Sequence, residues 1–115
     1  MSPNTVADLI RRSYACYPAK DRATHESLIA ADFHFTSPYD DRIDRARYFE
    51  RCWPFSEQVE SLDIEKLFVD GDEAFVRYRV KPKGAAAFRN VEFIRTGRGQ
   101  IHEVEVYFGQ LPERS

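Results

Sequence analysis

Cysteine is scarce in this chain: there are two, Cys16 and Cys52, far apart and in no metal-ligand spacing. An even count permits a disulfide, but no signal peptide points to an oxidising compartment. Reduced, mostly buried thiols in a cytoplasmic protein are therefore expected. Charge of one sign is also lacking, since the net charge is −2. That excludes a long-range pull toward nucleic acid or an anionic membrane. No apolar run approaches the roughly 18 residues of a membrane span. The three histidines are dispersed, so a three-His metal site finds no support, and no metal or cofactor is expected. The glycines of "TGRGQ" precede no helix, which excludes a phosphate cradle. There is no repeat, low-complexity tract or linker, and 115 residues fit one domain over residues 1–115.

What is present is apolar and aromatic. Apolar residues make up 43% and aromatics 14%, with nine Phe, six Tyr and one Trp. Bulky rings on this scale fill a core or line a cavity. Val6, Leu9, Ile10, Ser13, Tyr14 and Tyr17 fall on one stripe of a 3.6-residue period, which predicts a helix. Thr5 and Asp8 can cap its start, and Pro18 is expected to end it. Two inward phenols each need a hydrogen-bond partner, so the interior should be partly polar. A short helix follows over about 22–30, with Asp21 as cap.

Alternation predicts a strand over about 32–37, with Phe33, Phe35 and Ser37 on one face and His34 and Thr36 on the other. Pro38 stops it. The loop "PYDDRI" leads to a third helix capped by Asp44, whose stripe is Ala46, Phe49 and Trp53, flanked by Tyr48 and Cys52. Four strands follow, about 58–69, 73–81, 87–96 and 100–109, with turn signals "VDGDE", "KPKGA" and "TGRGQ" between them.

A turn centred on Gly97-Arg98 would set Phe93 opposite His102 and Val91 opposite Val104. One face then carries Val76, Tyr78, Val80, Val91, Phe93, Val104, Val106 and Phe108 and should receive the helices. The other carries Phe75, Arg77, Arg79, Phe88, Glu92, Ile94, Ile101, Glu103, Glu105 and Tyr107. Glu92 and Glu103 lie opposite one another in this register and require cations, which Arg77 and Arg79 can supply. Rings and arginines on a flat sheet face suit a homodimer interface; a solvated outer face is the alternative.

The element order, with "LIAADFHFTSP" and the closing "GQIHEVEVYFG", resembles the SnoaL-like branch of the nuclear transport factor 2-like superfamily over about residues 5–109. The resemblance implies an α+β cone: a curved antiparallel sheet on three N-terminal helices, a pocket at the open end, and often a homodimer through the sheet. Three positions that carry steroid isomerisation in relatives fall here on Ser37, Ser13 and Val91, so that mechanism is not expected. Cyclases of this fold use inward Asp and His groups, for which the nearest candidates are Asp40 or Asp41 at the pocket rim and His102 on the last strand.

Two functions stand side by side. One is a small-molecule-binding or dimerisation module without catalysis. The other is a cofactor-free cyclase, isomerase or dehydratase acting on an apolar carbonyl-bearing substrate. In the second, Asp40 or Asp41 moves a proton and Tyr14 or Tyr17 polarises the carbonyl. The ligand wall would comprise Tyr17, Phe35, Ser37, Tyr48, Trp53, Tyr78, Val91, Phe93, His102, Val104 and Val106. A pocket of roughly 300 Å³ or more with an inward titratable group would favour the enzyme.

Overall fold

A computed structural model describes residues 5–109. The elements run α1 (Val6–Ala19), α2 (Arg22–Leu28), β1 (Ile29–Ser37), β2 (Asp40–Asp44), α3 (Arg45–Arg51), a 3₁₀ turn (Trp53–Gln58), β3 (Val59–Asp70), β4 (Glu73–Pro82), β5 (Phe88–Gly97) and β6 (Gln100–Phe108). The six strands form one curved, unclosed sheet in the order β2-β1-β6-β5-β4-β3. The sheet is not wholly antiparallel, because β1 runs parallel to β6.

Each helix begins where a side chain satisfies a free backbone N–H. Thr5 accepts from the Asp8 N–H at 3.1 Å, Asp21 from Thr24 at 3.2 Å and Asp44 from Arg47 at 2.9 Å. Helix α1 continues past Tyr17 to Ala19. Pro18 sits in its last turn, and Lys20, at φ 57°, closes it in the left-handed conformation. The loop expected at "PYDDRI" is instead strand β2, a short hairpin partner of β1 in which Phe35 faces Ile43.

The core lies between the helices and the concave face of the sheet. Strand β4 alternates as expected, burying Ala74, Val76, Tyr78 and Val80. Strand β5 is inverted relative to the expected pairing. The β5–β6 turn is Arg98-Gly99, with both residues at positive φ (52° and 76°), and Gly97 pairs with Gln100. The register then slips by one: Thr96 pairs with Ile101, but Arg95 pairs with Glu103. His102 is the extra residue of a β-bulge, and a one-residue slip turns every later side chain to the other face. Ile94 therefore pairs with Val104, and Glu92 with Val106. Strand β5 sends Asn90, Glu92, Ile94 and Thr96 inward, while Val91 and Phe93 point outward.

The outer face changes accordingly. Glu92 and Glu103 are not neighbours. Glu103 meets Arg42 at 3.0 Å and Arg95 at 3.4 Å, and Arg77 pairs with Glu65 at 3.2 Å. Phe75 and Phe93 lie together on this face with ring centroids 5.4 Å apart. Arg79, Glu105 and Tyr107 share it. Among the described residues, no helix is long and apolar enough to cross a membrane.

Candidate functional site

The curved sheet does not close on the helices, and a cavity of about 530 Å³ remains at its open end. Its wall is mostly apolar and aromatic: Phe33 and Phe35 from β1, Val80 from β4, Val104 and Val106 from β6. Two polar clusters interrupt this wall.

The first cluster centres on Glu92. The Tyr78 hydroxyl donates to one carboxyl oxygen at 2.6 Å, and the Tyr14 hydroxyl donates to the other. Asn90 Nδ2 donates to the Tyr78 oxygen at 3.2 Å and fixes that phenol. Tyr14 and Tyr78 meet edge to face at 5.4 Å. Burial pushes the Glu92 pKa up, and the two phenol hydrogen bonds only partly oppose this by favouring the charged form. The pKa values of Tyr14 and Tyr78 rise well above that of a free phenol, first through burial and then through the Glu92 charge.

The second cluster is a chain. Ser13 Oγ lies 3.2 Å from His25 Nδ1, His25 Nε2 lies 2.8 Å from the Tyr48 hydroxyl, and that hydroxyl lies 2.7 Å from the hydroxyl of Tyr17. Ser13, His25 and Tyr48 are buried. Trp53 stacks on His25 with centroids 5.2 Å apart and planes 23° apart. Burial, reinforced by the Arg45 charge, lowers the His25 pKa to about 4, so the ring is neutral near pH 7. One stripe of α1 supplies both clusters. Tyr14 turns toward Glu92, while Ser13 and Tyr17 turn toward His25.

At the mouth, Asp40 is held by Arg51 Nε at 2.7 Å beside Ser37, Tyr39, Phe55 and Phe108. Cys52 also lines the cavity, and burial pushes its thiol up to about 12.

Several expected positions therefore meet: Tyr14, Tyr17, Phe35, Ser37, Asp40, Tyr48, Tyr78, Val104 and Val106 all line the cavity. Others do not. Val91 and Phe93 face outward because of the β5 inversion. His102 lies outside, with Nδ1 2.8 Å from Asp32 and Nε2 3.1 Å from the Gly97 carbonyl. Asp41 is exposed on β2 and lines nothing. Trp53 is buried behind His25 rather than on the cavity wall. Glu92 and His25, which matter most to the polarity of the cavity, were expected respectively on the outer face and apart from any cluster. The three-residue spacing of Ile101 and Val104 was the one visible sign of the bulge that brings Glu92 inside. Among the described residues, no group of three His, Cys, Asp or Glu could hold a metal ion.

No curated protein matches the chain. Solved structures of the same fold include an NTF2-like protein of unknown function from Cytophaga hutchinsonii, at 18% identity and TM-score 0.79, covering 91% of this chain and 90% of that one. A Kribbella flavida protein described provisionally as a ketosteroid isomerase is 20% identical, with TM-score 0.76 over 96% of this chain and 82% of that one. A de novo designed protein with a curved β-sheet reaches TM-score 0.80 at 13% identity, covering 95% of this chain and 88% of that one. A natural and a designed protein match equally well, so these likenesses speak for the fold alone. The family match is of a different kind: residues 10–104 fit the SnoaL-like domain, from the first helix into the last strand. The chain belongs to the SnoaL-like family.

Proposed function

We propose that the cavity binds a small, largely apolar molecule bearing a carbonyl group, and that Glu92 moves a proton on it. The observation that carries this reading is the Glu92 carboxyl, set in a mostly apolar and aromatic wall with its pKa pushed up by burial. A general base works best when its pKa approaches the working pH, and desolvation moves a carboxyl in that direction. In the reaction, the Glu92 carboxylate takes a proton from the carbon beside the carbonyl. It then returns the proton to another atom of the same skeleton, as in an isomerisation or cyclisation, and this needs no cofactor. Glu92 thus takes the part that the rim acids Asp40 and Asp41 were expected to play. Asp40, tied to Arg51, shapes the entrance.

Hydrogen–deuterium exchange at the carbon beside the carbonyl tests this without knowledge of the natural substrate. Small hydroxy-ketones and steroids that raise the melting temperature by mass action are incubated with the protein in D₂O and followed by NMR. The protein should accelerate exchange in at least one ligand, and Glu92→Gln should abolish the acceleration while binding persists. Ligands that bind but exchange at the solvent rate would leave a binding module as the better reading. That alternative rests on both Glu92 oxygens already receiving a phenol hydrogen, as in a fixed structural hub. We propose further that two copies associate through the outer sheet face, where exposed Phe68, Phe75 and Tyr107 accompany Phe93.

A further inference from the structure

The Ser13–His25–Tyr48–Tyr17 chain plays no part in the proton transfer proposed for Glu92, yet it reaches the same cavity. Its hydrogen count is informative. Ser13, neutral His25, Tyr48 and Tyr17 each carry one polar hydrogen, and three contacts link the four groups. Three contacts use three hydrogens, so one is left over, and its position depends on the imidazole tautomer. With the His25 proton on Nε2, Ser13 donates to Nδ1, His25 to Tyr48 and Tyr48 to Tyr17. The spare hydrogen is then that of the Tyr17 hydroxyl. With the proton on Nδ1, every link reverses. Tyr17 donates to Tyr48 and presents only lone pairs, while the Ser13 hydroxyl can turn to a carbonyl one helical turn back. Among the described residues the Tyr17 hydroxyl has no hydrogen-bond partner other than Tyr48, and it lines the cavity. Glu92 lines the same cavity, so the two groups face a common space.

We infer that the Tyr17 hydroxyl is a second polar subsite of the cavity, one that serves a hydrogen-bond acceptor or a donor on the ligand by a tautomer change at buried His25. The inference rests on the cavity being a ligand site, and it narrows the ligand. The ligand is an apolar skeleton with two polar functions, one beside Glu92 and one at Tyr17. The second function can be a carbonyl or a hydroxyl or N–H group, since the chain reverses without net charge. His25 acts through Tyr48 and Tyr17 and is a positioning residue.

Three tricyclic molecules of one shape separate the cases: 9-fluorenone offers only an acceptor, carbazole only a donor, and fluorene neither. Their affinities are measured by titration, and the His25 tautomer is read from ¹⁵N NMR of the imidazole in each complex. Fluorenone and carbazole should each bind about fivefold more tightly than fluorene, the size of one net hydrogen bond. Tyr17→Phe should erase both preferences. His25 should carry its proton on Nε2 with fluorenone and on Nδ1 with carbazole. Equal affinities of all three in the natural protein, preferences that survive Tyr17→Phe, or one tautomer in both complexes would overturn the subsite while leaving the cavity a binding site. Failure of all three to bind, fluorene included, would remove the ligand site itself and this inference with it.

Discussion

Replacing Tyr78 by Phe removes one oxygen and leaves the ring against Tyr14. The oxygen makes two bonds: it donates to Glu92 at 2.6 Å and accepts from Asn90 Nδ2 at 3.2 Å. A hydrogen bond to a charged partner is worth about 2 kcal/mol, and leaving the Asn90 amide short of an acceptor costs about 1 kcal/mol more. The sum, about 3 kcal/mol, should lower the melting temperature by about 12 °C near pH 7 at roughly 4 °C per kcal/mol for a chain of this size. The pH dependence is the sharper part. The Tyr78 bond favours ionised Glu92, so its loss raises the Glu92 pKa further. Protonated Glu92 gains less from Tyr78, so the melting deficit should shrink to about half when the medium is acidic enough to protonate it. Thermal melts of both proteins from pH 4 to pH 8 check this, and melts of Glu92→Gln and the double variant supply the coupling energy. A deficit that does not vary with pH, or a double variant whose loss is the plain sum of the two, would refute the linkage of Tyr78 to Glu92.

His25 gives a slope of the same sense as the Tyr78 bond, by a different route. Its pKa falls from 6.5 to about 4 on folding, so the folded state resists protonation. Its contribution is complete above the unfolded pKa and is lost as pH falls through the folded one, by about 3 kcal/mol in all. Urea melts at pH 7, 6, 5 and 4 should show this decline in the natural protein but not in His25→Leu; equal slopes would contradict it. Cys52, with its thiol pushed up to about 12, should stay unlabelled by iodoacetamide at pH 8 in the folded protein and react after denaturation, since the thiolate is the nucleophile; rapid native labelling would be the contrary result. Phe75→Glu should shift a sedimenting dimer to monomer with little change in melting temperature, because a charge is placed in a proposed interface and not in the core; an unchanged sedimentation coefficient would place any interface elsewhere.

Helix α1 and the inner face of β4 were legible because each follows a single period. The stripe through Leu9, Ile10, Ser13, Tyr14 and Tyr17 repeats as a helix must, and Ala74, Val76, Tyr78 and Val80 alternate without interruption. Strand β5 was not legible, because both its faces carry bulky apolar residues: Val91 and Phe93 on one, Ile94 on the other. Pairing had to decide between them, and the pairing turns on a bulge at His102 and a turn one residue later than expected. His25 was invisible for another reason. It stands in a seven-residue helix too short to show a period, and its partners, at positions 13 and 48, are brought to it only by packing. Asp40 and Asp41 were expected on one loop. Pairing of β2 with β1 turned Asp40 to the cavity mouth and left Asp41 in solvent.

The proposal stands on the state of one side chain, and that state can be measured directly. A ¹³C NMR titration of the Glu92 carboxyl, with the Glu92→Gln spectrum used for assignment, gives the pH at which it ionises in the folded protein. The midpoint should lie clearly above the ordinary glutamate value of about 4.3, and it should move higher still in Tyr78→Phe. A midpoint at or below the ordinary value in the natural protein would mean that Tyr14 and Tyr78 outweigh burial, leaving Glu92 a fixed anion and not a base for the cavity.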